Sequence, residues 1–249
     1  MAAQPGTVRL AQEASSMLGS ARSAFMKKAS STPSFPTPIA AYAMNENTGT
    51  TTADATGNGH TATLFSATWA ASGHTGSGLT NTTNITGAMT GVFTAPSAAI
   101  TLMAWIKPTS LPAGGSDISC GFFDTGGQTE AALFSQRGDG FSTPNVVQGN
   151  IRLNNTLTPI SGSALTVGTW SHVAMTYDGS NVKLYVDGSL VNTVAGTGTI
   201  TPGDALAVCG PDSGNSGSSY NARLTIDDVR VFNTALTQAQ VTAAMNTPV

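Results

Sequence analysis

Charge is what this sequence has least of, with Asp, Glu, Lys and Arg making up 9% of its residues against an average of about 25%. A surface so poor in charge suits packing against neighbours better than free solvation. Glutamate is confined to Glu13, Glu46 and Glu130, each alone, and the three histidines, His60, His74 and His172, fall at no spacing that would gather a transition metal. Neither a G-x-S-x-G elbow nor a P-loop is present, so no nucleophilic or phosphate-cradling motif can be read. Two cysteines, Cys120 and Cys209, are too few for a disulfide framework and are expected as buried thiols. No stretch approaches a membrane span of about 20 apolar residues, which argues against membrane insertion. The N-terminus has no apolar signal core, so the chain is expected to stay in the cytoplasm where it is made, without a signal peptide. No basic cluster is interleaved with aromatics, which argues against a nucleic-acid partner.

What fills the space is Thr, Ser, Ala, Gly and Asn, residues of strands and tight turns. The clearest signal is a hairpin between Gly168 and Gly188. Val173, Met175 and Tyr177 alternate with His172, Ala174 and Thr176, the period of a strand with one buried face. Asp178-Gly179-Ser180-Asn181 turns the chain, and Val182, Leu184 and Val186 alternate with Lys183, Tyr185 and Asp187. An Asp-Gly pair between two such runs predicts an antiparallel hairpin. Further strands are expected at Ile39–Met44, Thr63–Phe65, near Leu79, at Ile100–Lys107, Ala131–Gln136, Gln148–Leu153, Leu206–Cys209 and Leu224–Phe232. Thr237 with Gln240 spells a capping box, with Leu236 and Val241 as its hydrophobic staple, so a short helix should run to about Met245.

The first 38 residues differ from the rest. Leu10, Met17, Leu18 and Phe25 fall on one face of a helix expected from about Val8 to Ala29, weakened by Gly19 and several serines. Such a helix is marginal alone and needs a surface to lie on. Ser30 to Pro38, with three prolines in its last six residues, reads as a semi-stiff linker, so the division expected is an arm over 1–38 and a body over 39–249. The net charge of −3 divides into +3 on the arm and −6 on the body. A basic arm could be steered to an acidic surface, and ordinary scatter in a short segment would look the same.

W-x-H-V-A-x-T-Y-D-G followed by L-Y-V-D-G resembles the central hairpin of LamG-like domains of the concanavalin A-like lectin/glucanase superfamily. A-W-I-K-P at 104–108 and I-D-D-V-R-V-F-N-T-A-L at 226–236 resemble two further strands of those domains, and D-A-T-G-N-G at 54–59 resembles their opening loop. The resemblance runs through nearly the whole body and leaves the arm outside. It implies an all-β, two-sheet antiparallel jelly-roll sandwich, to which the reading adds the arm and the short C-terminal helix. Trp105 and Trp69 are expected in its core.

The resemblance also bears on chemistry. Hydrolases of that superfamily carry a Glu-x-Asp-x-x-Glu type run, and none is present here. Asp227 and Asp228 are adjacent and, in a regular strand, would face opposite ways, so no carboxylate pair can span a glycosidic bond. The chain is read as no enzyme. The resemblance implies a structural Ca²⁺ held by Asp54 and Asn58, with Asp228 completing the site; a tight Asx turn without metal is the alternative. Carbohydrate would need a stacking aromatic beside polar loops, for which Tyr220, Phe141 and Phe122 are the candidates.

Two functions are expected on these grounds. The first is a virion structural protein, similar to LamG-like minor tail or head-decoration proteins of tailed bacteriophages. Its arm would dock on a neighbouring virion protein through Leu10, Met17, Leu18 and Phe25, and its jelly roll would be displayed, in contact with host glycans. Self-association is left open. The second is a free carbohydrate-binding lectin module with a structural calcium ion.

Overall fold

The computed structural model describes residues 34–81, 88–90, 93–109, 118–124, 129–136, 146–201, 205–208 and 224–249. The arm's Leu10, Met17, Leu18 and Phe25 lie outside them. A compact unit extends from Phe35 to Val249. Phe35, inside the expected linker, sets its ring edge-on against Phe232 at 6.2 Å.

Sixteen strands and one helix form the described body: β1 (Ala40–Tyr42), β2 (Thr51–Thr52), β3 (Ala62–Leu64), β4 (Thr68–Ala70), β5 (Gly78–Asn81), β6 (Ala88–Thr90), β7 (Ile100–Pro108), β8 (Ile118–Asp124), β9 (Thr129–Gln136), β10 (Val146–Leu153), β11 (Thr156–Ala164), β12 (Ser171–Tyr177), β13 (Asn181–Val186), β14 (Ser189–Ala195), β15 (Ala207–Val208), β16 (Leu224–Phe232) and α1 (Gln238–Met245). The largest sheet has eight strands in the order β14-β13-β12-β7-β16-β5-β4, with β1 also pairing β16. Two four-stranded sheets, β11-β10-β9-β8 and β15-β6-β3-β2, supply the facing layer. Their neighbouring strands pair antiparallel, as a jelly-roll sandwich requires.

Alternation explains the core. Ile100, Leu102, Ala104 and Ile106 of β7, Val173, Met175 and Tyr177 of β12, and Val182 and Leu184 of β13 meet Val147, Ile151 and Ile160 from the facing layer. The expected hairpin is there, with Val173 opposite Val186 and Tyr177 opposite Val182. Trp69 packs half-buried against this core, its Nε1 donating to the Gly49 carbonyl at 2.9 Å. Trp105 does not join it. On β7 it shares parity with Thr101, Met103 and Lys107, and it lies on the opposite, outer face of the eight-stranded sheet, partly exposed. Phe122 and Phe123 lie on strand β8, which is not among the strands expected from the sequence.

The outer face is itself partly covered. Met103, Ala174, Tyr185 and Phe232 form a second apolar cluster beneath Leu236, Val241 and Ala244. The capping box is formed as expected: Gln240 N–H donates to Thr237 Oγ1, and the Thr237 N–H donates to Gln240 Oε1. At the other end of α1, the buried Arg230 donates to the carbonyls of Ala244 and Thr247. The positive guanidinium thereby meets the helix end where carbonyls are left unpaired.

Candidate binding face

The register of β12, β7 and β16 lays the outer-face side chains in rows across the sheet. Thr176, Thr101 and Phe232 form one row, and Ala174, Met103 and Arg230 the next; both lie beneath α1. The third row is His172, Trp105 and Asp227. In the fourth, Lys107 faces Thr225, which faces Thr80, while Trp170 immediately precedes β12.

The third row is covered by the turn between β4 and β5. His74, exposed at the tip of that turn, stacks on the Trp105 indole with 3.6 Å between ring centroids and 10° between planes. Asp227 holds the turn in place: its Oδ2 accepts the backbone N–H groups of His74 and Thr75, both at 2.8 Å. Gly73 makes the close approach feasible, since a Cβ there would lie 2.0 Å from the Ser77 carbonyl oxygen and 2.6 Å from Asp227 Oδ2. Burial, countered in part by the Thr75 N–H and reinforced by the neighbouring Asp228 charge, pushes the Asp227 carboxyl up to about 7. On the other side of Trp105, His172 is fully buried and neither ring nitrogen has a hydrogen-bond partner. Burial first, then Arg230 and His74, drives its pKa down to about 3, so the imidazole is neutral.

In the fourth row Thr225 is buried, and the surface is more accessible at the Lys107 end. Trp170 is half-buried, meets the His74 ring edge-on at 5.8 Å and carries the Lys107 ammonium 4.9 Å over its ring. Aromatic faces, an imidazole and a cation therefore share one patch. Such a patch can stack an apolar ring face and hold an anionic or hydroxylated group beside it.

Asp227 and Asp228 correct the opposite-face expectation. Leu224 and Ile226 point into the core, and so do Val229 and Val231, which leaves an extra residue between the two pairs. The ladder with β7 shifts between Asp227 and Arg230, and Asp228 takes φ 50°, so both carboxylates lie off the core side. Each is used locally: Asp227 Oδ1 accepts the Asp228 N–H, and Asp228 Oδ1 accepts the Val249 N–H.

The residues expected around calcium do not share a partner. Asp54 Oδ1 accepts from the Ala41 and Thr56 N–H groups and the Thr56 hydroxyl, while Oδ2 accepts from the His60 N–H. Burial pushes this carboxyl up, but those donors together hold it below its usual range. Asn58 Nδ2 donates to the Ile39 carbonyl at 3.0 Å. Loop and first strand are thereby sewn together as an Asx-type turn, and Asp228 is engaged elsewhere. Among the described residues, no three His, Cys, Asp or Glu side chains gather as a metal group. Of the carbohydrate candidates, Phe122 lies on β8, its side chain outside the description, and Tyr220 and Phe141 lie outside the described residues.

A family model for Laminin_G_3, of the concanavalin A-like lectin/glucanase superfamily, matches residues 79–242. The chain belongs to this family. Among curated proteins no match is found. Among solved structures, domain 4 of AbnA, a GH43 extracellular arabinanase from Geobacillus stearothermophilus, seen in complex with arabinotriose, is similar at 18% identity and TM-score 0.61, over 83% of this chain and 97% of that one. The binding domain of Paraclostridial Mosquitocidal Protein 1 is similar at 12% identity and TM-score 0.62, over 84% of this chain and 52% of that one. The Trypanosoma rangeli sialidase in complex with 2,3-difluoro-KDN is similar at 15% identity and TM-score 0.57, over 84% of this chain but 32% of that one. Identities this low establish the shared Laminin_G_3-type, lectin-like fold and nothing finer.

The face around Trp105 and Trp170 went unread as a site in the sequence, although its signal was present. Trp105 and Lys107 share the parity of Thr101 and Met103, against the purely apolar set Ile100, Leu102, Ala104 and Ile106. A polar-and-aromatic parity on a strand marks its outer face.

Proposed function

We propose that this chain is a non-enzymatic structural protein of a tailed-bacteriophage virion, on tail or head, which displays its jelly roll to contact host carbohydrate. The observation that carries the reading is the division of the chain. An acidic compact body from Phe35 onward follows a basic segment with an apolar stripe at Leu10, Met17, Leu18 and Phe25. A marginal amphipathic helix of that kind needs a protein surface, and a neighbouring virion protein supplies one. The display function needs no catalysis, and the carboxylates nearest a candidate site, Asp227 and Asp228, are spent on backbone N–H groups. The test is assembly: particles made with chain lacking residues 1–34 should contain none of it, while the body alone stays folded. A truncated body that still incorporates overturns the reading.

A second reading, a free carbohydrate-binding lectin with a structural calcium ion, has one observation in its favour. The AbnA domain that matches over 97% of its own length is bound to arabinotriose. Under this reading calcium would use Asp54 and Asn58, and Asp54 would have to release donors of its own loop to do so. Glycan affinity in the isolated protein, and a melting temperature that rises with Ca²⁺, would favour this reading. No binding across a broad glycan panel counts against it.

A further inference from the structure

We infer that the Lys107 end of the fourth row of the outer face, with Trp170 beside it, is a subsite for a saccharide bearing a carboxylate; this deepens the glycan-contact part of the function proposed above and rests on it. The first ground is charge. Of the described cations, Arg152 donates to the Asn155 carbonyl, Lys183 pairs with Asp178 at 3.3 Å, and Arg230 is spent on the end of α1. Lys107 alone among them has no oxygen partner and rests over an indole. The acidic groups of the same face cannot serve it without giving up their own bonds, since Asp227 and Asp228 accept the N–H groups of His74, Thr75, Asp228 and Val249.

The second ground is shape. Three of the four rows are roofed, two by α1 and one by the His74 turn, whereas Trp170 and Lys107 are only half-buried, with the His74 ring at one edge of the indole. The patch offers an aromatic ring with an ammonium 4.9 Å from its centroid. A pyranose ring presents C–H groups to such a face, and a carboxylate on that ring would draw the ammonium off the indole into a charge-assisted hydrogen bond. Away from Lys107 the row is closed, since Thr225 is buried and the Thr80 hydroxyl donates to the Leu224 carbonyl, so the subsite is confined to the Lys107 and Trp170 end. A neutral sugar would leave the ammonium unused, so the arrangement discriminates by charge.

The experiment is a titration of the full chain, followed by tryptophan fluorescence and calorimetry, with matched neutral and acidic pairs: lactose against sialyllactose, and galactotriose against trigalacturonate. At least one acidic member should bind about tenfold more tightly than its neutral partner. Lys107→Met should erase that preference, Lys107→Arg should keep it, and the melting temperature of both should stay close to that of the parent. Equal affinity within both pairs, or a preference that survives Lys107→Met, overturns the subsite while leaving glycan contact standing. Absence of any glycan binding, neutral or acidic, overturns both.

Discussion

At the scale of single residues, the face around Trp105 sets two titrations against each other. Asp227 has its folded pKa raised to about 7, so it binds a proton in the folded chain at pH values where the unfolded chain, with a carboxyl near 3.9, has lost it. Its contribution is fully present below about pH 4 and is lost as pH rises toward 7. His172 is depressed to about 3, so its contribution is present above about 6.5 and is lost as pH falls toward 3. Across pH 4 to 6.5 the slopes oppose and partly cancel. Urea unfolding of Asp227→Asn should therefore show stability rising with pH over that window, and His172→Phe should show it falling. Parallel profiles for the two variants would mean that these groups do not govern the pH response. Arg230 is a separate case, because its two bonds to the Ala244 and Thr247 carbonyls are made by a buried charge. Arg230→Ala strands both carbonyls and removes the cation near Asp228, and should cost about 3–5 kcal/mol of stability in urea titration.

Among elements, legibility followed the period of the side chains. The hairpin of β12 and β13, the last strand and the capped helix were all readable, because each combines alternation or capping with a turn residue of fixed conformational demand. Thr237→Ala should accordingly cost about 1 kcal/mol, measured by chemical unfolding, since it removes the acceptor for the Gln240 N–H. Strands β11 and β14 were not readable. Their solvent-facing Thr, Ser and Asn carry no apolar alternation, and they are strands because they lie on the edges of their sheets. The bulge at Asp227 and Asp228 was hidden for a related reason. Inserting one residue into a strand changes parity without changing composition, and the face assignment of both carboxylates depends on it. Trp105 was misplaced because a large aromatic in an apolar strand reads as core unless the parity of its neighbours is counted. The turn over Trp105 gives this a test. Gly73→Ala would push a Cβ to 2.0 Å from the Ser77 carbonyl oxygen, so the turn must shift and lift His74 from the indole. Tryptophan emission should move to longer wavelength, which His74→Ala should reproduce with a smaller loss of stability.

For the whole molecule, the order of strands in the large sheet makes the two ends of the chain unequal. Strand β16 stands at its middle, hydrogen-bonded to β7 on one side and to both β1 and β5 on the other. Its Leu224, Ile226, Val229 and Val231 are core residues, and its Phe232 and Arg230 seat α1 on the outer face. A chain that stops before Leu224 therefore lacks the strand that joins β1, β5 and β4 to the rest, and it exposes the buried edge of β7. Non-local pairing of this kind gives no partial credit, because loop-closure entropy is lost before the contacts that repay it are made. Every buried cluster described here, by contrast, begins at Phe35 or later. Removing residues 1–34 should leave cooperative urea unfolding with its midpoint and slope unchanged, whereas removing residues 224–249 should abolish the cooperative transition and the near-UV circular dichroism signal of packed aromatics. If the short chain without β16 still unfolded cooperatively, the large sheet would not be the unit that holds the body together, and the rows that build the candidate binding face would have no common scaffold.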